Sequence, residues 1–484
     1  MDDDVPLGIS DLLRRAAVRQ GARTALVDAA VELTWSEVDE SVSGAARALA
    51  GAGAQPGDRV TLHLGTSVEF VLLYLGALRA GLVAVPINPA YAHSEVEFIR
   101  RDSGATVHVD RESASSLLEH APAGADPKQD RGGEALSVLL YTSGTSGRPK
   151  GAMLSARALL ANLDQLASVD PPMITGADVL FVPLPLSHVF GLNAGLGMAL
   201  RVGATLVLAD RFDAGATLAT MAEEHVTAVL GVPGQFAQWL ANPAVGRGFA
   251  EVRFAMSGSA TLARAVIDGF FERGLVVHDG YGLTEAAPVV SVNAIGERHR
   301  IKPGSIGHSL PGVEVSLRDE DGDEVDLGDP GRIFIRGRNL FSGYWPDGAG
   351  GPDRDGWFGT GDIAVADALG ELHLVGRTTE LVIVNGFNVY PAEVEAVLAR
   401  VPGVAEVAVT GVADEVTGEA VVAYVVPARG AMVDAERLRA IAATNLARFK
   451  LPTRISIVDA LPHTVTGKIM KWQLSGEVHP GAAE

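Results

Sequence analysis

Between Tyr141 and Gly151 the chain reads Tyr-Thr-Ser-Gly-Thr-Ser-Gly-Arg-Pro-Lys-Gly, directly after the apolar run Leu136 to Leu140. Thr142, Ser143, Thr145 and Ser146 supply hydroxyls, Gly144 and Gly147 let backbone amides approach a ligand, and Lys150 adds a cation. A turn of this make-up can wrap an anion through its N–H groups and side chains, so the segment reads as a phosphate cradle. It is not a P-loop. Pro149 stands where that motif needs a glycine before the lysine, and Gly151 replaces the Ser/Thr that would hold magnesium. The chain contains no cysteine, which removes disulfides, thiolate metal sites and thiol nucleophiles together. No Gly-x-Ser-x-Gly elbow marks a serine hydrolase, and the histidines lack zinc spacing.

The elements that must position this loop follow from the hydrophobic rhythm. Short apolar runs at Ala105–Val109, Ala135–Leu140, Val179–Val182, Thr205–Leu208, Ala228–Val232 and Leu275–Val277 alternate with helical segments, which predicts an α/β fold of parallel-type sheets flanked by helices. Around Gly331–Ile335 and Glu371–Leu374 short strands between Gly and Asp clusters predict a small antiparallel subdomain. Past Gly376–Glu380 the pattern changes to a smaller α+β domain. Its helix follows Pro391, strands are expected at Val404–Thr410 and Ala420–Val426, a helix at Asp434–Leu446 and a strand at Thr453–Val458.

At 484 residues one core is insufficient, and 47% apolar with 20% charged residues predicts an ordinary folded chain. The 59 acidic against 39 basic residues give −20, a field that disfavours nucleic acid and anionic membrane surfaces as partners. The Met-Asp-Asp-Asp start is the reverse of a secretory signal, and the apolar stretch Val71–Ile87 is broken by Arg79, Gly81 and Pro86. A cytoplasmic protein without a transmembrane segment is expected.

Tyr141–Gly151 closely resembles the phosphate-binding signature of the adenylate-forming superfamily, in particular its acyl-CoA synthetase (fatty acid–CoA ligase) branch. Further matches follow in the family's order: Pro183-Leu-Pro-Leu-Ser-His-Val-Phe-Gly191, Ser257-Gly-Ser-Ala260, Asp279-Gly-Tyr-Gly-Leu-Thr-Glu285, Gly356-Trp-Phe-Gly-Thr-Gly-Asp362, Gly376-Arg377, Asn385-Gly-Phe-Asn-Val-Tyr-Pro391 and Pro462-His-Thr-Val-Thr-Gly-Lys468. The resemblance implies an N-terminal adenylation domain at 1–376, a hinge at 377–380 and a mobile C-terminal domain at 381–484 that carries a catalytic lysine. It implies ATP-driven activation of a carboxylic acid to an acyl-AMP, with pyrophosphate released, and transfer of the acyl group to CoA with release of AMP. A carboxylate attacking the α-phosphorus of a polyanion needs charge neutralisation and in-line positioning above all.

The same resemblance implies the residue roles. Lys468 contacts the acid and the α-phosphate, Lys150 and the loop Thr142–Gly147 hold phosphates, Thr284 is a phosphate-contacting hydroxyl, and Glu285 is the Mg2+ ligand, a hard oxygen donor suited to that ion. Asp362 takes the ribose hydroxyls with Arg377 assisting. Tyr281 stacks on adenine, whose edge is bordered by Gly258, Ser259, Ala260 and Asp279, with Gly280 and Gly282 in the same motif. His188, Val232, Pro233, Gln235, Phe236, Val289 and Val290 form the acyl pocket. Asn385, Gly386 and Phe387 line the CoA tunnel, and Arg298, Arg300 and Lys302, or Arg448 and Lys450, are candidates for the CoA phosphates.

Departures from the family pattern sharpen the substrate. No aspartate near His188 is available for an amino acid's α-amino group, and Gly280 stands where malonate-type enzymes carry an arginine, so amino acids and dicarboxylates are disfavoured. At the hinge Thr379 replaces the usual Asp or Lys, and the stretch Asn88–Tyr141 is short. A medium- or long-chain fatty acid is favoured, with an aryl acid as the alternative, as is a fatty acyl-AMP ligase loading a carrier protein. The acceptor can thus be CoA or an acyl carrier protein, and monomer and homodimer both stay open.

Overall fold

The structure is a computed structural model that describes residues 8–29, 31–125, 127, 132–142, 149–293, 304–384, 387–414, 417–464 and 467–474, apart from the side chains at 379 and 472. The chain divides into two compact units, Met1–Glu314 with Ile335–Phe358, and Val315–Phe334 with Gly359–Glu484.

In the first unit one five-stranded sheet has the order Val107–Val109, Arg59–His63, Val83–Ile87, Leu136–Thr142, Lys150–Ser155. The first four strands run parallel and the last returns antiparallel, so Thr142 pairs with Lys150 across the mouth of the candidate loop. The Val83–Ile87 strand is buried along its whole length, as its uninterrupted apolar run requires. A second sheet sets Thr24–Val27, Thr205–Leu208, Val179–Val182, Ala228–Gly231, Phe254–Ser257 and Val277–Gly282 side by side in parallel, then adds Val289–Val292 and Ser305–Ser309 antiparallel. Its covering helices meet it through an aromatic core in which Phe236 packs edge-on to Trp239 and Phe270, with ring centroids 5.2 and 5.8 Å apart.

Helix starts follow local chemistry. Ser67 accepts the Phe70 N–H to cap Val68–Arg79, Ser155 accepts that of Ala158 to cap Ala156–Ala167, and Thr34 with Glu37 forms a capping box. Arg79 is fully buried and spans three helices. Its guanidinium donates to Ser10 Oγ, Ser43 Oγ, the Asp39 carbonyl and Asp39 Oδ1.

In the second unit residues 362–366 pair with Leu372–Arg377 as a hairpin, in which Asp362 stands opposite Arg377. Its other sheet has the order Phe387–Val389, Val382–Val384, Gly418–Pro427, Val404–Asp414, with Arg454–Ile457 added parallel to Gly418–Pro427. Helices Pro391–Leu398 and Ala435–Asn445 close its core through Val394, Leu398, Leu438 and Ala442. Pro391 opens its helix because its fixed φ suits the first turn and no N–H is wasted there.

The expected α/β class, the antiparallel strands and the smaller α+β region are all present. One strand differs. Val277–Gly282 starts where the expected run Leu275–Val277 ends and carries on through the glycine-rich Asp279-Gly-Tyr-Gly segment. Partners on both sides, Phe254–Ser257 and Val289–Val292, supply ladder hydrogen bonds that outweigh the low strand preference of glycine.

Candidate active site

The hairpin that closes the candidate phosphate loop is described on both arms. Thr142 Oγ1 donates to the Lys150 carbonyl at 3.5 Å, and the Lys150 side chain is exposed with Nζ 5.4 Å from the centroid of the Tyr344 ring. Ser143, Gly144, Thr145, Ser146 and Gly147 lie outside the described residues, as do Arg298, Arg300, Lys302, Asn385 and Gly386.

Thr284 and Glu285 sit on a single 3-10 turn, Thr284–Ala286. Gly282 leads into it, and a Cβ there would fall 2.2 Å from the Pro288 oxygen, so only glycine fits. Ala287 ends the turn at φ 61°, a left-handed conformation costly for alanine that its surroundings must enforce. Three buried asparagines do so. Asn162 Nδ2 donates to the Val289 carbonyl at 2.8 Å while its Oδ1 accepts the Val289 N–H at 3.1 Å. Asn193 Nδ2 donates to the Ala287 carbonyl at 2.7 Å and Asn339 Nδ2 to that of Ala286 at 2.8 Å. Glu285 is held from outside, its Oε1 accepting the Tyr344 hydroxyl at 2.5 Å and its carbonyl accepting the Phe341 N–H at 2.8 Å.

The adenine candidates lie together at the carboxyl ends of parallel strands, where open α/β sheets bind ligands. Ser257 is in register with Asp279. Ser259 follows Gly258 at φ 72°, a second strained non-glycine residue. Asp279 is buried, and desolvation pushes its pKa up to about 7 although the N–H groups of Leu262 and Gly280 favour the anion. Tyr281 is two residues on, on the same strand face as Asp279.

His188 precedes a π-helix, Phe190–Gly197, whose eight residues are all buried. Its Nδ1 accepts the Phe190 N–H at 3.3 Å, which puts the ring proton on Nε2, and desolvation lowers its pKa to about 4, so the imidazole is neutral at pH 7. The residues expected at the pocket wall are placed as follows. Gln235 is committed to backbone, since its Nε2 donates to the Pro183 carbonyl at 2.7 Å and its Oε1 accepts the Val232 N–H at 3.0 Å. Phe236 belongs to the aromatic core beneath Pro233–Ala241. Val289 and Val290 are neighbours on one strand and face opposite ways, so only one of them can line a given cavity.

In the second unit Arg377 Nε donates to Asp362 Oδ1 at 2.7 Å. Lys468 lies in their field. Local desolvation first, then the Arg377 charge, hold its ammonium below the usual lysine pKa, against the pull of Glu380 and Asp362. Thr379 lies in the 3-10 turn Thr378–Glu380, whose flanks are tied down: Thr378 Oγ1 donates to the Gly361 carbonyl at 3.0 Å, and Lys471 Nζ bridges Glu380 and Glu395 at 2.9 Å each. Phe387 is exposed and stacks on Phe449 at 4.8 Å. Lys450 is not a free cation, because its Nζ pairs closely with Glu393. The asparagine clamps, Tyr344 and Lys471 escaped the sequence reading; each lies in an otherwise unremarkable run, and its partner is far along the chain.

Comparison with known proteins accords with this arrangement. Residues 13–345 match the family described as AMP-binding enzyme and residues 393–468 its AMP-binding enzyme C-terminal domain, and the chain belongs to that family. Within it, the protein is an AMP-forming acid–thiol ligase of the acyl-CoA synthetase branch of the adenylate-forming superfamily. It is 36% identical to a feruloyl-CoA synthase of an Amycolatopsis species, over 96% of this chain and 97% of that one. A long-chain-fatty-acid–CoA ligase of Yersinia pestis is 31% identical over 99% and 95%. Among solved structures, ATP-bound MatB from Rhodopseudomonas palustris superposes with a TM-score of 0.89 at 33% identity, covering 96% of this chain and 98% of that one.

Proposed function

We propose that the protein converts an apolar carboxylic acid with no second charge to its CoA thioester through an acyl-AMP, and that the acid is aryl, of the hydroxycinnamate or benzoate type. The observation that carries the substrate reading is the neutrality of the acid-side wall. His188 is uncharged at pH 7, and a Cβ at Gly280 would meet the Met256 sulfur at 3.4 Å and the Ser257 carbonyl oxygen at 3.7 Å, neither of them charged. A second carboxylate or an ammonium would be desolvated there without a partner. The Phe190 ring lies 3.1 Å from where a Gly258 side chain would begin, which sets an aromatic face beside the Gly258–Ala260 segment. The 36% identity to a feruloyl-CoA synthase points the same way. A fatty acid is the second reading, supported by the apolar Val232 and Val289 and by the Yersinia relative.

In this reading Lys150 and the loop after Thr142 hold the ATP phosphates, Tyr281 stacks on adenine and Asp279 borders its edge. Asp362, oriented by Arg377, accepts the ribose hydroxyls. Lys468 neutralises charge building up at the α-phosphate as the carboxylate attacks. The donor set at Thr284 and Glu285, a hydroxyl beside a carboxylate, fits Mg2+, which when bound supplies charge neutralisation at the phosphates. Glu285 orients toward it one carboxylate whose other oxygen is held by Tyr344. Phe387 stacked on Phe449 offers an aromatic face for the CoA nucleotide. Residues 377–380 act as the hinge between an adenylation domain at 1–376 and a C-terminal domain at 381–484.

The test is mass spectrometry of products after incubation with ATP, Mg2+, CoA and a panel of ferulate, anthranilate, benzoate, octanoate and palmitate. Aryl-CoA is the expected product. Acyl-CoA from palmitate alone would establish the second reading, acyl-AMP without thioester would move the acceptor to a carrier protein, and no adenylate from any acid would overturn the function.

A further inference from the structure

Tyr344 lies on a loop that the sequence left without a role, and it touches two groups separated by more than a hundred residues of chain. Its hydroxyl donates to Glu285 Oε1 at 2.5 Å. The face of its ring lies under the Lys150 ammonium, 5.4 Å from the centroid, within reach of a cation–π attraction. Both contacts are made by one rigid side chain whose backbone is fixed on every side. Tyr344 pairs with Ala152 as an isolated antiparallel bridge, its N–H donates to the Ala349 carbonyl at 3.0 Å, its carbonyl accepts the Gly348 N–H at 2.8 Å, and the next amide, of Trp345, donates to the Gly151 carbonyl at 2.8 Å. Gly343 makes the turn possible: at φ 95° a Cβ would stand 2.0 Å from the Gly348 oxygen. The ring is buttressed edge-on by Phe341 at 5.0 Å, and the Phe341 N–H donates to the carbonyl of Glu285 itself.

We propose that Tyr344 is a positioning residue that sets the spacing between the Lys150 ammonium and the Glu285 carboxylate, and so presets the site for a metal-bound nucleotide triphosphate. This rests on the ATP reading given above. A carboxylate and an ammonium left to themselves would pair and cancel each other. The phenol prevents this by occupying one carboxylate oxygen, while the ring draws the ammonium onto its face. The second oxygen of Glu285 stays oriented for a cation and Lys150 for phosphate oxygens.

Two variants separate the two contacts. Tyr344→Phe keeps the ring and removes the donor; Tyr344→Leu removes both. Affinity for ATP is measured by titration calorimetry twice on each protein, once in EDTA and once with Mg2+, with no acid or CoA present. For Tyr344→Phe the expected result is metal-free affinity within twofold of the unmodified protein and Mg·ATP affinity weakened about tenfold, near the low end of what a hydrogen bond to a charged group contributes. Tyr344→Leu should weaken both. Tyr344→Phe in a Glu285→Gln background should lose little more than Glu285→Gln alone, since the two act through one contact. Equal Mg·ATP affinity in Tyr344→Phe and the unmodified protein, or equal losses with and without metal, would overturn the proposal. No Mg·ATP binding by the unmodified protein would overturn the ATP reading itself.

Discussion

Replacing Asn162 with leucine should unsettle the turn that carries Thr284 and Glu285 without touching either. Leucine matches asparagine closely in shape, so the change removes hydrogen bonds and leaves no void. Asn162 is fully buried; its amide closes a two-point clamp on the Val289 backbone N–H and C=O and also donates to Gln165 Oε1 at 3.2 Å. The variant strands the backbone N–H and C=O of one buried residue, Val289. An unsatisfied buried group costs about 1–3 kcal/mol, so the pair predicts a loss of about 2–6 kcal/mol, a large share of the ~5–15 kcal/mol that holds a typical domain folded. Urea unfolding followed by circular dichroism reads the loss as a lower midpoint at unchanged slope. Mg·ATP affinity should fall in parallel, because the clamp lies within five residues of Glu285. A stability loss under about 1 kcal/mol with unaltered Mg·ATP affinity would refute the claim that this clamp positions the turn.

Lys468→Ala should reduce acyl-AMP formation by about 10²–10³-fold, the scale for losing one charge-stabilising group, while thioester formation from supplied acyl-AMP persists; pyrophosphate exchange and thioester assays separate the steps. Thr379→Pro should spare adenylation and cut thioester formation, and equal loss in both half-reactions would argue against a hinge there. Asp279 predicts a pH effect on the unliganded protein. Its folded pKa near 7 lies above the unfolded value of 3.8, so between these values the folded state holds a proton that the unfolded chain has released, and its contribution to stability declines as pH rises toward 7. Asp279→Asn should flatten that slope, up to about 1.4 kcal/mol per pH unit, in denaturation midpoints measured from pH 5 to 7.

The sheet strands were legible because burial on both faces demands short unbroken apolar runs: Val179–Val182 and Thr205–Leu208 appear in the structure with the limits the sequence predicts. The helix after Pro391 was equally plain from its opening residue. Residue types that advertise chemistry, such as the Asp362 carboxylate and Arg377 guanidinium, were also readable, and the hairpin does set them opposite each other. What stayed hidden depends on tertiary partners. Asn162 in an apolar helix has the pattern of any polar interruption until Val289, 127 residues away, is seen against it. Lys450 reads as a solvated charge until Glu393 closes on it. Val289 and Val290 were read alike from composition, which carries no face; alternation along the strand Val289–Val292 turns them opposite ways.

The π-helix at Phe190–Gly197 makes the site sensitive to insertions and deletions in a way that substitutions do not reveal. Asn193 lies inside it and reaches two ways at once, to the Leu159 carbonyl at 3.1 Å and the Ala287 carbonyl at 2.7 Å. A π-helix carries more residues per turn than an α-helix, so dropping one residue ahead of Asn193 would let the segment relax into α-helical winding and put a different residue where Asn193 now stands. Asn193 would then face away from the turn beside Glu285. Along this stretch the count of residues works like the teeth of a gear.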